Sequence, residues 1–239
     1  MGVPTVIVAL LIALVFAVMV IGSIIITRKE KAKKTQLAQA LGMTPVAQPD
    51  AALAEQIFAL HRPTWGTATY KLRNVSRRPL ADGELFLFDL VDTSGDGDST
   101  TAHQAVAIRS ATLRLPPFAF YPKVDTQQYA LGGLANKIVE WAVARAGKPV
   151  SLPEYPAFAA RYTVTSDDPP AARRFFNERM ANYFATTQFY TLHAAGDLFV
   201  FADIEPGFKT SDQSRMARRI DRALAMYQLF RQAAPAYSA

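Results

Sequence analysis

No cysteine occurs anywhere in the 239 residues. That absence excludes disulfide frameworks, thiolate metal sites, thioether haem attachment and a cysteine nucleophile. Histidine is nearly as scarce: His61, His103 and His193 fall in separate predicted elements, with no two at helical spacing. A histidine metal centre would need convergence in the tertiary structure, and no metal or other cofactor is expected. Enzyme signatures are missing as well, with no G-x-S-x-G, no P-loop, no G-x-G-x-x-G after a strand and no H-E-x-x-H. Charge is absent from one long stretch. From Thr5 to Thr27, the 23 residues "TVIVALLIALVFAVMVIGSIIIT" carry none. At ~1.5 Å per helical residue this run spans roughly 34 Å, enough to cross the ~30 Å hydrocarbon core of a bilayer.

Residues 1–27 are therefore expected to form a transmembrane anchor. A cleaved signal peptide would show a basic start, a shorter apolar centre and a small-x-small cleavage site, and these are lacking. The next seven residues, "RKEKAKK", set Arg28, Lys29, Lys31, Lys33 and Lys34 against Glu30 and supply +4 of the chain's net +6. The positive-inside bias then predicts a single-pass protein of a bacterial inner membrane, N-terminus outside and the rest cytoplasmic. The five cations are expected on anionic lipid headgroups. Only +2 is left for the remainder of the chain, which argues against a nucleic-acid partner. Within the span, Ala9, Ala13 and Ala17 recur every four residues. Such a stripe lets a second helix approach closely, although an apolar span can hold it by composition alone. The span has no histidine and no ionisable residue, so it is not expected to ligate haem or relay protons.

Residues 28–49 read as a basic juxtamembrane segment and linker, in which "TQLAQALGM" continues a helix until Gly42 and Pro45 stop it. Residues 50–239 read as one cytoplasmic domain. Asp50 is placed to cap a helix through "AALAEQIFALHR". Strand-like runs follow from Trp65 to Val75, at 83–91 and at 101–110. "LRLPPFAFYPK" is too proline-rich for a helix and suits an extended segment over a sheet, with a proline-rich ligand segment as the other reading. Helices are predicted through "NKIVEWAVARAG", through "DDPPAARRFFNERMANYF" and, opened by "TSDQ", through "SRMARRIDRALAMYQLF". "SLPEYPAF" reads as a loop, "ARYTVTS" as a strand, and "QFYTLHA" with "LFVFADI" as a hairpin about Gly196. Met216, Ile220, Leu224 and Tyr227 form the apolar face of the last helix, with Arg215, Arg218, Arg219 and Arg222 on its solvated sides. The pattern predicts an α+β protein: one N-terminal transmembrane helix, then a single domain with a mainly antiparallel sheet packed by about four helices.

"VDTSGDGDST", residues 91–100, has the most suggestive chemistry. Asp92, Ser94, Asp96 and Gly97 match positions 1, 3, 5 and 6 of a calcium loop, but position 12 is His103 where a bidentate glutamate belongs, and the flanks read as strands. A solvated hairpin tip explains the aspartate-rich 92–98 loop better. A serine triad from Ser94 or Ser99 with His103, and a carboxylate pair of Asp203 and Glu205, are weaker constellations that ordinary loops also produce.

"ALGM", "ELFLFDLVDTSGDGDSTTAHQAVAI", "LRLPPFAFYP", "FAARYTV" and "AARRFFNERMANYF", set behind a charge-poor span, together resemble an uncharacterised family of bacterial single-pass membrane proteins with a cytoplasmic α+β domain. The resemblance implies topology and fold class and brings no catalytic residue. The function expected is that of a membrane-anchored, non-enzymatic accessory, assembly or structural subunit. It would bind other proteins of a larger inner-membrane complex, respiratory or photosynthetic assemblies being examples, with membrane lipids as its other partners. The alternative is a membrane-tethered hydrolase or cation-regulated enzyme using the 92–103 loop with Asp203 and Glu205.

Overall fold

The structure, a computed structural model, describes residues 16, 18–22, 28–29, 32–61, 70–92, 101–123, 147–203 and 213–237. Its centre is a nine-stranded, wholly antiparallel sheet. The strands are β1 (Thr44–Pro45), β2 (Tyr70–Leu80), β3 (Gly83–Asp92), β4 (Thr101–Ser110), β5 (Leu115–Pro122), β6 (Lys148–Val150), β7 (Tyr162–Ser166), β8 (Tyr190–Gly196) and β9 (Leu198–Asp203). They lie in the order β1-β2-β3-β4-β9-β8-β5-β7-β6. Six helices accompany them among the described residues: α1 (32–40), α2 (Ala51–Leu60), α3 (Pro156–Arg161), α4 (Pro169–Phe175), α5 (Glu178–Thr186) and α6 (Gln213–Tyr237). The α+β class and the antiparallel sheet agree with the sequence pattern, with more helices than the four expected.

Alternation along the strands sends side chains to two different cores. Leu85, Leu87, Val106, Ile108, Phe118, Phe120, Leu192, Phe199 and Phe201 face one side, which α1 and α3–α6 cover. Phe86, Phe88, Leu90, Ala105, Ala107, Leu198 and Val200 face the other, where α2 inserts Leu53 and Ile57. Burial on both faces is why β3 reads as a nearly unbroken apolar run. "LPPFAFYP" is extended as expected, but it is an interior strand between β8 and β7, so it is not a free proline-rich ligand.

Local chemistry sets the boundaries. Gly42 takes φ +72°, and the amides of Gly42 and Met43 return to the carbonyls of Gln39 and Ala38, the bonding of a Schellman cap on α1. Ala38 and Met43 are core residues. The stretch read as a linker thus packs as part of the domain. At the β2–β3 turn Gly83 is required, because a Cβ there would lie 2.2 Å from the Arg109 carbonyl oxygen. Asp82 in that turn accepts from the Tyr227 hydroxyl of α6 and from Thr112 Oγ1 at 2.9 Å, and these bonds hold its carboxyl below the usual range.

A loop and a helix expected from the sequence are corrected. "SLPEYPAF" holds the start of α3, opened by Pro156 at its first turn. The helix expected through "DDPPAARRFFNERMANYF" is two: Phe176 is extended (φ −68°, ψ 136°), and Asn177 caps α5 by accepting from the Met180 amide at 3.0 Å. Arg219 also departs from the solvated position expected of it. It is buried at 8% exposure and donates to the side-chain oxygen of Gln104. The helix expected at 136–147 lies almost wholly outside the described residues.

Candidate functional site

A concavity opens where α1 meets the sheet, and it begins with an irregularity in β2. Pairing shifts by one residue between Arg73, opposite Asp89, and Ser76, opposite Leu87. Within this bulge Asn74 adopts φ +52°, a left-handed conformation that asparagine tolerates better than most residues. The bulge aims Asn74 at Asp89: its Nδ2 donates to Asp89 Oδ2 at 2.7 Å. Lys34 Nζ, from α1, donates to the same oxygen at 2.8 Å, with side-chain exposures of 17% for the lysine and 8% for the aspartate. A groove of about 670 Å³ surrounds this cluster. Asn74, Asp89 and Gln104 give it a polar floor, while Ala38, Val46 and Met216 provide apolar wall. Arg219 stands behind Gln104 through the bond described above.

The Asp89 carboxylate, bonded by a lysine of α1 and an amide of β2, ties these elements to β3. The hydroxyls of the lining, Thr35 and Ser76, have no imidazole among their fellow lining residues, so a hydroxyl–imidazole pair is not assembled here.

A second cluster lies on the α2 face. His61, ending α2, and His193, from β8, stack with ring centroids 4.4 Å apart and planes 29° from parallel. His61 Nδ1 bonds the Ile57 carbonyl at 2.8 Å, and His193 Nδ1 bonds the Leu60 carbonyl at 3.0 Å. Both imidazoles thereby bond carbonyls at the C-terminal end of α2, that of Ile57 being shared with the backbone amide of His61. Tyr121 meets His193 edge-on at 5.5 Å, and Tyr70 lies 5.9 Å from His61. Burial lowers the pKa of His61, against the opposing pull of its carbonyl bond. Burial, then repulsion from a charged His61, puts His193 well below the ordinary value. Burial and the neighbouring Tyr70 raise Tyr121. Among the described residues, no three His, Asp or Glu side chains form a group able to hold a metal ion.

Of the residues singled out from sequence, Lys34 is paired with Asp89, whereas Arg28, Lys29 and Lys33 are exposed. Lys31 and the stripe of Ala9, Ala13 and Ala17 lie outside the described residues, as do Ser94, Ser99, Glu205 and residues 93–98 of the aspartate loop. The β3–β4 ladder continues to Asp92 opposite Thr101, so that loop joins adjacent antiparallel strands. Phe16, Val18, Met19, Val20 and Ile21, all helical, are 54–62% exposed. Among the described residues no helix is long and apolar enough to cross a membrane. Sequence reasoning missed Asn74, Asp89, the Lys34 contact and the histidine pair; only the short-range left-handed tolerance of Asn74 was locally visible.

The architecture defines an antiparallel α+β protein with helices weighted to one face. It is similar to the fold in the crystal structure of the mycobacterial trehalose monomycolate transport factor A, TtfA, at 14% identity and a TM-score of 0.50, covering 86% of this chain and 94% of that one. No protein-family model and no curated protein matches the chain. At that level of identity the likeness concerns the fold alone.

Proposed function

We propose that the protein is a non-enzymatic accessory or assembly subunit, anchored in the bacterial inner membrane by residues 5–27 and binding other proteins through that anchor and its cytoplasmic domain. The observation that carries this reading is the chain's N-terminal continuity. A charge-free span and a basic run directly precede α1 in the sequence, and Ala38 of α1 belongs to the domain core. An anchor joined in this way transmits position to the domain, which suits a component held in a complex. The similar fold of a protein titled a transport factor accords with an accessory role. A tethered hydrolase remains the alternative, resting on the 92–103 loop.

Fractionation and protease digestion test the anchor and its orientation. The full chain is expected in the carbonate-washed membrane fraction, and protease added to intact spheroplasts is expected to leave the domain uncut until the cells are lysed. Cleavage of the domain in intact spheroplasts would reverse the topology.

A further inference from the structure

β2 is covered unevenly along its outer side. Among the described residues β1 is the only strand set against it there, and that pairing touches just Ser76 and Arg77. The amide of Val46 adds one bond to the Val75 carbonyl at 2.8 Å, and no further strand follows before α2 begins at Ala51. Residues 70–74 therefore have no strand on their outer side among the described residues. The two halves also differ in charge. On the covered half Arg77 meets Glu84 at 3.3 Å, and Arg78 donates to the Leu41 carbonyl at 3.5 Å. On the open half Lys71 and Arg73 are exposed and have no ion pair among the described residues. Alternation puts these two on one face, with Arg73 lining the groove, while Tyr70 and Leu72 take the other and pack half-buried against the α2 core.

Every second residue of an edge strand turns its N–H and C=O outward, where another extended chain can bond them. Charge decides which chain is accepted. A second copy pairing antiparallel through this edge would set Lys71 and Arg73 opposite the same cations, and like charges directly opposite destabilise a pair. We propose that residues 70–74 take up an extended segment of a partner protein as an added edge strand, one in which acidic residues alternate with apolar ones. Its carboxylates stand opposite Lys71 and Arg73, and its apolar side chains extend the row of Tyr70 and Leu72. This edge would be the contact through which the accessory subunit holds its partner, and it rests on that reading only for the existence of one. Peptides stand in for the partner in the test, so failure here is separable from failure of the accessory role.

The full chain in phosphatidylcholine nanodiscs is titrated with a short fluorescent peptide of alternating glutamate and valine. The comparisons are a lysine–valine peptide and the glutamate peptide N-methylated on every amide. Saturable binding of the glutamate peptide is expected, with slowed hydrogen exchange at the amides of residues 70–74. Lys71→Glu together with Arg73→Glu, both at exposed positions, should weaken that binding roughly tenfold or more, since two exposed ion pairs give way to repulsion. The same double variant should bind the lysine–valine peptide more tightly by a similar factor, a gain that a merely damaged fold would not produce. No binding of the glutamate peptide, equal binding of the lysine–valine peptide to the unaltered chain, or affinities unmoved by the double substitution would overturn the proposal. The N-methylated peptide binding as tightly as its parent would overturn strand addition, because contact would then be by charge alone.

Discussion

The two faces of the sheet are built to different standards. On one, α1 and α3–α6 bury a network of aromatic rings in which Phe120 alone meets Tyr162 at 5.0 Å, Phe184 at 4.7 Å, Phe158 at 5.9 Å and Phe118 at 6.4 Å. On the other, among the described residues, the ten-residue α2 supplies only Leu53 and Ile57 to the buried set. Polar devices hold its ends. Arg109 reaches from β4 to Asp50, the N-cap, at 3.3 Å and to Glu84 at 3.1 Å, and the histidine stack closes the C-terminal end. An apolar core of many interlocked rings opens only with global unfolding, whereas a helix held by two side chains and titratable ends opens locally. The first face carries the fold's stability, and the second carries its sensitivity to conditions.

Phe120→Ala should produce the largest effect. Truncating a fully buried ring costs about 3–5 kcal/mol, and the loss should appear as a lower denaturant midpoint together with faster amide exchange across the whole sheet. Ile57→Ala, equally buried but on the α2 face, should cost less, about 2 kcal/mol. Its exchange signature should be confined to α2 and the strands beneath it. If both variants loosen the same amides to the same extent, the two faces are one cooperative unit and the contrast drawn above fails.

Acid should have the smallest effect, and a local one. His61 and His193 are held below the ordinary histidine value, so folding favours their neutral forms. Their contribution is complete above about pH 6.5 and is lost as pH falls from there toward the folded values, at no more than ~1.4 kcal/mol per pH unit for each ring. Tyr121, edge-on to His193 and held above the ordinary tyrosine value, stays neutral throughout this range, and Tyr70 is the other titratable group beside the pair. Melting temperature should therefore fall between pH 7 and pH 5, and His61→Phe with His193→Phe should flatten that slope while keeping two stacked rings. An unchanged slope in the double variant would place the acid sensitivity elsewhere.

Features governed by neighbours in sequence were legible, and those governed by neighbours in space were not. The β8–β9 hairpin about Gly196, the cap at Asp50 and the stop at Gly42 each follow from local backbone chemistry. The break between α4 and α5 was hidden because Phe176 falls on the same apolar stripe as Met180, although Asn177 is an ordinary capping residue. Lys34 looked like one cation in a solvated run; only the bulge in β2, forty residues later, brings Asn74 and Asp89 to it. His61 and His193 meet because β8 lies under the end of α2, a pairing no spacing announces. Arg219 shares a helix with truly exposed Arg218, and Gln104 on a distant strand makes the difference.

The central claim, an anchored domain held within a membrane complex, is tested most directly by purifying the full chain from membranes in mild detergent and counting its companions by quantitative mass spectrometry. We predict an integral-membrane partner at a fixed ratio, reduced by Ala13→Leu on the alanine stripe and much less by Leu14→Ala, about 100° round the helix. Leucine is at least as favourable in the bilayer as alanine, so insertion itself should persist. A monomer with no partner in the wild-type preparation, turning over a substrate, would contradict the account.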